Sequence, residues 1–279
     1  MMAETWQLMI RDLKKWIRTP AWLFASLIQP ILWLVLFGSA FNPANLIPQT
    51  AGVAFTSGLV LKSVFEGAPN YITFLTAGML CFLMTSAAMW AGGPLITDRA
   101  LGYLDKLLAA PISRSSITLS LVFSSVIKGV ILSAILFVAA LLIPGGLVLS
   151  PGFGLLDLLG VFATLIALAV SFLWLFIGLA VRISKFETAA AISSTIGLPL
   201  LFASSALFPV SGMPGWLRGI ADINPISKAA DILRLLVVKG SLTGAQLNIV
   251  AGDFVYLLAF AAICGLIGIV ISQRGLRIQ

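Results

Sequence analysis

The sequence predicts an all-α integral membrane protein that forms a single domain over residues 1–279, and three observations support this fold class. Sixty per cent of the 279 residues are hydrophobic and only 10% are charged. The mean hydropathy of +1.10 lies far above that of chains with a water-facing surface. Several uncharged runs of about 20 residues are long enough, as helices, to cross a hydrocarbon core of roughly 30 Å.

The first predicted element is an amphipathic interfacial helix over residues 4–19. Apolar residues recur there at helical spacing with basic residues between them, and Pro20 closes the segment. The apolar positions are Trp6, Ile10, Leu13, Trp16 and Ile17. This pattern predicts a helix that lies on the inner membrane surface in contact with lipid.

Six predicted membrane spans follow. They cover residues 21–40, 71–96, 117–143, 158–181, 188–210 and 254–272. The fourth and fifth spans are joined only by residues 182–187, so they should run antiparallel and adjacent to each other.

The placement of the Lys and Arg residues predicts the orientation of these spans. One side receives Arg11, Lys14, Lys15, Arg18, Arg99, Lys106, Arg114, Arg182, Lys185, Arg274 and Arg277. The other side receives Lys62, Arg218, Lys228, Arg234 and Lys239. The positive-inside rule therefore places both termini in the cytoplasm. Anionic lipid headgroups explain the net charge of +7 without any nucleic acid.

The composition also excludes some functional classes. The sequence contains no histidine, which is the commonest metal ligand and general base. Both cysteines, Cys81 and Cys264, fall in apolar runs, where a thiol usually serves as a small hydrophobe. We expect no catalytic, cofactor-binding or metal site on this chain.

The loop between the second and third spans predicts a short helix over residues 98–110. Asp98 is expected to cap this helix and Pro111 to end it. Its apolar stripe consists of Leu101, Leu104, Leu107 and Leu108. The stripe could pack on the membrane interface or in a groove on a soluble partner.

The segment between the fifth and sixth spans predicts two short helices within residues 213–240. Pro214 should start the first, and Asn224 as N-cap with Pro225 at the first helical position should start the second, which ends near Gly240. The second helix has an apolar face of Ile226, Ala229, Ala230, Leu233, Leu236 and Val237 and a polar face of Lys228, Asp231 and Arg234. Neither helix is long enough to span, so both could rest on the outer leaflet.

Lys128 is the charged residue that lies deep in a predicted span. Ionisable groups at such depth are functional candidates by default. A structural role is also open, because a lysine can snorkel and Ser124, Ser125 and Ser133 offer partners. Asp157 and Asp253 fall at the ends of predicted spans.

Two stretches resemble the type-2 ABC exporter permeases, and most of all the daunorubicin-resistance type. The first is Gly-Tyr-Leu-Asp-Lys-Leu-Leu-Ala-Ala-Pro-Ile-Ser-Arg at residues 102–114. The second is Leu-Phe-Pro-Val-Ser-Gly-Met-Pro-Gly-Trp-Leu at residues 207–217, followed by Asp-Ile-Asn-Pro-Ile at residues 222–226. The two stretches keep the order and approximate spacing of the family. The family often has a glutamate two residues before the glycine, where this chain has Ala100.

The resemblance implies three sites. Residues 98–110 would be a cytosolic coupling helix that docks on an ATP-binding subunit through Asp98, Leu101, Gly102, Tyr103, Leu104, Asp105, Leu107, Leu108 and Pro111. Residues 213–240 would be re-entrant helices that gate the extracellular side, with Pro214, Trp216, Asn224 and Pro225. A pathway near the subunit interface would involve the first, second and fifth spans, with Phe24, Trp33, Phe37, Phe74, Phe82, Ser193 and Ser204, and with Lys128 as a further candidate.

The resemblance therefore implies an exporter of a hydrophobic or amphiphilic compound, drug-like or lipid, in the cell membrane of a prokaryote. The sequence has no Gly-x-x-x-x-Gly-Lys-Ser/Thr motif, so ATP and magnesium are expected on a separate ATP-binding subunit. A second permease copy, identical or closely related, is expected to complete the pathway.

Three alternatives remain open at this point. The first is a permease that exports a lipid-linked polysaccharide. The second is an ion-coupled secondary transporter, which is disfavoured because every Asp and Glu falls at or beyond the end of a predicted span. The third is a membrane-embedded enzyme or an assembly scaffold. The enzyme is disfavoured because the sequence has no histidine and no clustered acids from which to build a catalytic site.

Overall fold

The computed structural model describes residues 2–40, 67–183, 185–239 and 242–275. Within these ranges the regular structure is helical. In chain order the helices are α1 (Met2–Ile17), α2 (Pro20–Ala40), α3 (Tyr71–Met89), α4 (Gly93–Ala100), α5 (Tyr103–Ala109), α6 (Arg114–Leu142), α7 (Leu155–Arg182), α8 (Phe186–Phe202), α9 (Gly215–Ile223), α10 (Pro225–Lys239) and α11 (Gly244–Gly275). Lys62, Gly240, Arg277 and the side chain of Arg274, which entered the predictions above, lie outside the described part.

Five stretches of the described chain are long and apolar enough to cross a membrane. They are Pro20–Gly38, Tyr71–Ala100, Arg114–Leu142, Leu155–Arg182 and Gly244–Ser272. A sixth apolar helix, α8, has only 17 residues. The all-helical membrane fold is thus confirmed for the described ranges, whereas the number of six spans stays a prediction.

The predicted bounds of the last two spans differ from the structure. The fifth was predicted to run to residue 210, but α8 ends at Phe202, three residues after Pro199. The helix can end there because the Asn224 amide donates to the carbonyls of Leu200 and Ala203 in place of helical N–H groups. The sixth was predicted to begin at residue 254, but α11 begins at Gly244. Asp253 is therefore within a helix instead of at its end, and its carboxylate pairs with the Lys228 ammonium at 3.1 Å.

The predicted helix over residues 98–110 is two helices joined by an elbow. The first, α4, ends at Ala100 with Asp98 inside it, so the prediction that Asp98 caps a helix is wrong. The second, α5, begins at Tyr103 after Gly102, whose φ is +66°. L-residues rarely adopt this left-handed geometry, and glycine adopts it without steric cost. We refer to residues 93–111 as the elbow.

Burial shows which helices form the centre of the bundle. Of the most apolar stretch of Tyr71–Ala100, 72% is buried, and the value for Leu155–Arg182 is 78%. The corresponding values are only 22% for Pro20–Gly38 and 28% for Gly244–Ser272. The second and fourth spans are therefore central, and α2 and α11 present most of their apolar surface outward.

Hydrogen bonds define the two ends of the bundle. At one end, which we call the basic end, Arg11 of α1 reaches Asp98 of the elbow. At the opposite end, which we call the far end, the Asn70 amide donates to the carbonyl of Gly145, and the Ser150 N–H donates to the carbonyl of Val237. The short helices α9 and α10 thus lie at the far end, and α1 and the elbow lie at the basic end.

Candidate functional sites at the two ends of the bundle

The elbow turns one set of its side chains inward and another outward. Leu104 is fully buried and Leu107 is 8% exposed, whereas Leu101 is 73% exposed. The predicted apolar stripe is therefore split, because the break at Gly102 turns Leu101 away from the other leucines. Leu108 is half-buried. The outward surface of the elbow consists of Thr97, Ala100, Leu101, Tyr103, Asp105, Lys106, Ala109 and Pro111.

Asp98 joins the elbow to α1. Its carboxylate accepts hydrogen bonds from the Arg11 guanidinium at 2.5 Å and from the Lys15 ammonium at 3.4 Å, and its side chain is only 8% exposed. The Arg11 guanidinium also lies 4.7 Å from the centroid of the Tyr103 ring. Burial by itself would lower the pKa of Arg11, but the hydrogen bond that Arg11 donates to Asp98 and the negative charge of Asp98 raise that pKa overall. Arg11 thus stays charged and holds both halves of the elbow.

A second contact ties α1 to the start of α6, just after the elbow in the sequence. The Glu4 carboxylate accepts hydrogen bonds from the backbone N–H of Ser113 at 3.3 Å and from the hydroxyl of Ser116 at 3.1 Å. Ser113 is also the N-cap of α6, because its hydroxyl accepts from the Ser116 N–H. The helix α1 therefore contacts both the elbow and the start of α6, which follows it.

Lys128 pairs with an acid, Asp12, that was not among its predicted partners. Its ammonium lies 2.5 Å from the Asp12 carboxylate, and the Ser124 hydroxyl donates to the same oxygen at 2.6 Å. The two charged side chains are only 15% and 6% exposed. Of the predicted partners, Ser124 shares the acceptor with Lys128. Asp12 could have been recognised as a partner because it is an acid in a basic helix. It lies on the same face of α1 as the buried residues Thr5 and Met9.

Arg99 connects the elbow to the fourth span. Its guanidinium donates to the backbone carbonyls of Val181 at 2.7 Å and Ile183 at 2.8 Å. These carbonyls lie at the C-terminus of α7, where a helix leaves acceptors without partners and where positive charge is favourable. The elbow is thereby linked directly to α1, α6 and α7.

At the far end, the chain after α8 leaves backbone carbonyls without helical partners. In a membrane an unsatisfied carbonyl costs several kcal/mol, so donors must be found. The Asn224 amide donates to the carbonyls of Leu200 at 2.7 Å and Ala203 at 3.1 Å, and the Tyr71 hydroxyl donates to that of Leu207 at 3.1 Å. The motif residue Asn224 thus connects α10 to the broken end of α8.

The start of α10 has the predicted geometry. The Asn224 side-chain oxygen accepts from the N–H of Ile226 at 2.9 Å, and Pro225 is the first helical residue. Pro214 precedes α9, in which Trp216 is 71% exposed. The predicted apolar face of α10 is buried, at Ile226, Ala229, Ala230, Leu233, Leu236 and Val237. The gating role of Pro214, Trp216, Asn224 and Pro225 stays a prediction.

The predicted polar face of α10 is partly exposed at Lys228 and Asp231 but buried at Arg234. Arg234 makes the expected pair with Asp231 at 3.0 Å, but its side chain is only 4% exposed. Its guanidinium lies 3.6 Å from the centroid of the Phe74 ring in α3. Phe74 was a pathway candidate, and here it is fully buried beneath this arginine.

The other pathway candidates fall into separate places. Trp33 and Phe82 line one cleft between α2, α3 and α8, together with Gln29, Met79, Leu198, Leu201 and Phe202. The Phe37 ring centroid lies 5.1 Å from that of Trp33, on the same helix. Phe24 is 63% exposed on α2, and Ser193 and Ser204 are buried within the protein. The structure therefore brings Trp33, Phe37 and Phe82 together, and Phe24, Phe74, Ser193, Ser204 and Lys128 are not among the residues that line this cleft.

Comparison with known proteins adds a family match to this geometry. A model of the ABC-2 type transporter family matches residues 3–238, which include α1, the elbow and α10.

Similar curated proteins cover most of the chain. A putative transport permease, ycf38, of Pyropia yezoensis is 34% identical over 245 residues, which is 85% of this chain and 75% of the relative. The ycf38 permease of Porphyra purpurea is 36% identical over 230 residues, covering 78% and 68%. The daunorubicin resistance ABC transporter permease protein DrrB1 of Streptomyces coeruleorubidus is 26% identical over 219 residues, covering 78% and 69%.

Proposed function

The chain belongs to the ABC-2 type transporter family of membrane permeases, and we propose that it exports a hydrophobic or amphiphilic compound with energy from a separate ATP-binding subunit. It is the transmembrane subunit of an ABC transporter. ABC-2 permeases work with ATP-binding subunits. ATP and magnesium would bind to that subunit, and this chain would move the cargo.

The construction of the elbow is the observation that supports this proposal. Leu101 and Tyr103 are exposed at the basic end, where a soluble subunit could reach them. The elbow is also held to α1 through Asp98 and to α7 through Arg99. A push on the exposed surface would therefore be transmitted to several helices at once, as the coupling of ATP hydrolysis to transport requires.

The excess of basic residues at the elbow and α1 supports an orientation with this end in the cytoplasm. We place the protein in the cell membrane of a prokaryote with both termini inside. Residues 213–240 would then be the extracellular re-entrant gate.

The character of the cleft between α2, α3 and α8 favours an apolar or amphiphilic cargo. Trp33, Phe82 and Phe202 give it aromatic walls, and Gln29 supplies an amide. One similar permease is named for resistance to daunorubicin, which is a reason to choose daunorubicin as the first probe. The cleft opens beside α2, so a second permease copy would enlarge it into a pathway, as a homodimer or a close heterodimer.

The proposal is tested by reconstitution into liposomes with a candidate ABC ATP-binding subunit from the same organism. We expect daunorubicin to stimulate ATP hydrolysis and to move across the membrane only when ATP is present. The control complex carries an ATP-binding subunit whose phosphate-loop lysine is replaced, and it should neither hydrolyse ATP nor transport.

Two other results would point elsewhere. Transport that continues without the ATP-binding subunit and stops when an ionophore dissipates the ion gradients would identify a secondary transporter. Hydrolysis stimulated by a lipid-linked polysaccharide and unaffected by daunorubicin would keep the ATP-driven exporter and replace the cargo.

A further inference from the structure

The chain after α8 crosses the face of α3 at very close range. Gly78 faces the Ala206 backbone, and a Cβ added at Gly78 would lie 1.8 Å from the Ala206 carbonyl oxygen. Tyr71, Phe74 and Gly78 lie on one face of α3 at helical spacing, and Tyr71 donates to the carbonyl of Leu207. We refer to residues 203–207 as the exit segment.

Several side chains hold the exit segment, among them Tyr71, Asn224 and Ser227. Arg234 bonds both Ser205 and Ala206. The Arg234 guanidinium donates to the Ser205 hydroxyl at 3.2 Å and to the backbone carbonyls of Ser205 at 2.5 Å and Ala206 at 3.3 Å. The same group stacks on Phe74 of α3. A planar guanidinium can make these contacts simultaneously, which a lysine ammonium cannot. Arg234 thus joins α10, the exit segment and α3.

The charge of Arg234 does not depend on the exit segment for compensation. Asp231, one turn earlier in α10, pairs with the guanidinium at 3.0 Å, and the Asp231 side chain is 35% exposed. If the exit segment moved away, the guanidinium would keep its counter-ion and its aromatic partner. The carbonyl contacts are therefore the ones that can be exchanged without leaving a buried charge unpaired.

We propose that Arg234 is a positioning residue that latches the exit segment against α3 and so keeps the far end of the transport path closed. The inference rests on the proposed function in one respect, namely that cargo leaves the protein at this end. Opening requires the guanidinium to release Ser205 and Ala206 while it stays with Asp231 and Phe74.

The latch is tested by the reactivity of a cysteine placed beneath it. Leu207 is 2% exposed, so Leu207→Cys should react slowly with a maleimide in membrane fragments that are open on both sides. Combining it with Arg234→Gln should raise the labelling rate about tenfold, because the variant loses charged hydrogen bonds to the exit segment. Arg234→Lys should raise it by a similar factor. Cys81 and Cys264 are buried, so labelling of the wild-type protein gives the background rate.

Arg218→Gln is the matched control. It removes a positive charge at the same end of the bundle, but Arg218 is exposed and donates only to the nearby Ser211 carbonyl among the contacts described. It should leave the labelling rate unchanged. If Arg234→Gln does not accumulate in membranes, Phe74→Leu removes the stacking surface with little change in volume and should also raise the rate.

A second readout separates latching from simple stability. In the reconstituted complex, Arg234→Lys should keep basal ATP hydrolysis and its KM for ATP, and the amount of daunorubicin moved per ATP should fall about tenfold. Unchanged labelling in both Arg234 variants, or an unchanged transport ratio, overturns the latch. Since labelling needs neither cargo nor ATPase, a wild-type complex that fails to transport would contradict the proposed function and not the latch.

Discussion

At the scale of single residues, several charged side chains lie inside the protein and are paired there. Lys128 could be recognised from the sequence because a charge within an apolar run is rare and must find a partner. Its partner Asp12 could not be recognised, since it lies 116 residues earlier and the pairing depends on how α1 packs on α6. The sequence also predicted the pairing of Arg234 with Asp231 from their i,i+3 spacing. That spacing does not show that the Arg234 side chain is buried.

Removing one member of the ion pair between Asp12 and Lys128 should strongly destabilise the basic end. Asp12→Ala leaves a nearly buried ammonium without its counter-ion, and such a loss costs about 3–5 kcal/mol. We expect a clear fall in the thermal unfolding midpoint of the detergent-solubilised protein. Asp222→Ala removes an exposed acid in α9 and should leave the midpoint nearly unchanged.

A double variant shows whether the effect belongs to the pair. Asp12→Asn combined with Lys128→Met removes both charges and should restore most of the lost stability, since no buried charge remains. The single variants Asp12→Asn and Lys128→Met are measured beside it. If the double variant loses as much stability as the sum of these two losses, the pairing is contradicted.

At the scale of elements, the helices could be predicted more closely than their breaks. Hydropathy located the long helices, but the breaks at Gly102 and after Phe202 depend on tertiary contacts. Gly102 permits the turn, and the contacts of Arg11 with Asp98 and Tyr103 hold the two halves of the elbow at an angle. After Phe202 the chain can leave the helix because Asn224 and Arg234 satisfy the exposed carbonyls.

The inward and outward faces of the elbow should respond differently to substitution. Leu101→Asp places a charge on an exposed site, so folding should change by less than about 0.5 kcal/mol. Binding of the ATP-binding subunit should weaken about tenfold or more, as for an interface hot spot. Leu104→Asp would bury a charge at a site with no exposure, and we expect the protein not to accumulate.

The measurement is co-purification of the ATP-binding subunit at equal amounts of permease. Ile223→Asp is the control, because Ile223 is 67% exposed but lies at the far end. It should bind the subunit as the wild type does. Full binding by Leu101→Asp would show that the exposed face of the elbow is not the docking surface.

At the scale of the whole molecule, the fold class, the family and the grouping of basic residues at one end could be read from the sequence. The placement of α1 could not, because a basic amphipathic pattern predicts a helix on a lipid surface. The structure lays its Thr5, Met9 and Asp12 side against the protein and leaves Trp6 61% and Ile17 66% exposed. The helix α1 therefore connects the elbow to α6, through Arg11 with Asp98 and through Asp12 with Lys128.

We propose that the elbow meets an ATP-binding subunit at the cytoplasmic end, and cross-linking tests this contact most directly. Asp105→Cys on the exposed face of α5 and Ser211→Cys at the far end each supply one exposed thiol. Treated in membranes with a short thiol-to-amine cross-linker, Asp105→Cys should form one covalent product with the ATP-binding subunit, and Ser211→Cys should form none. A product from Ser211→Cys, or equal cross-linking by both variants, would contradict docking of the ATP-binding subunit on the elbow.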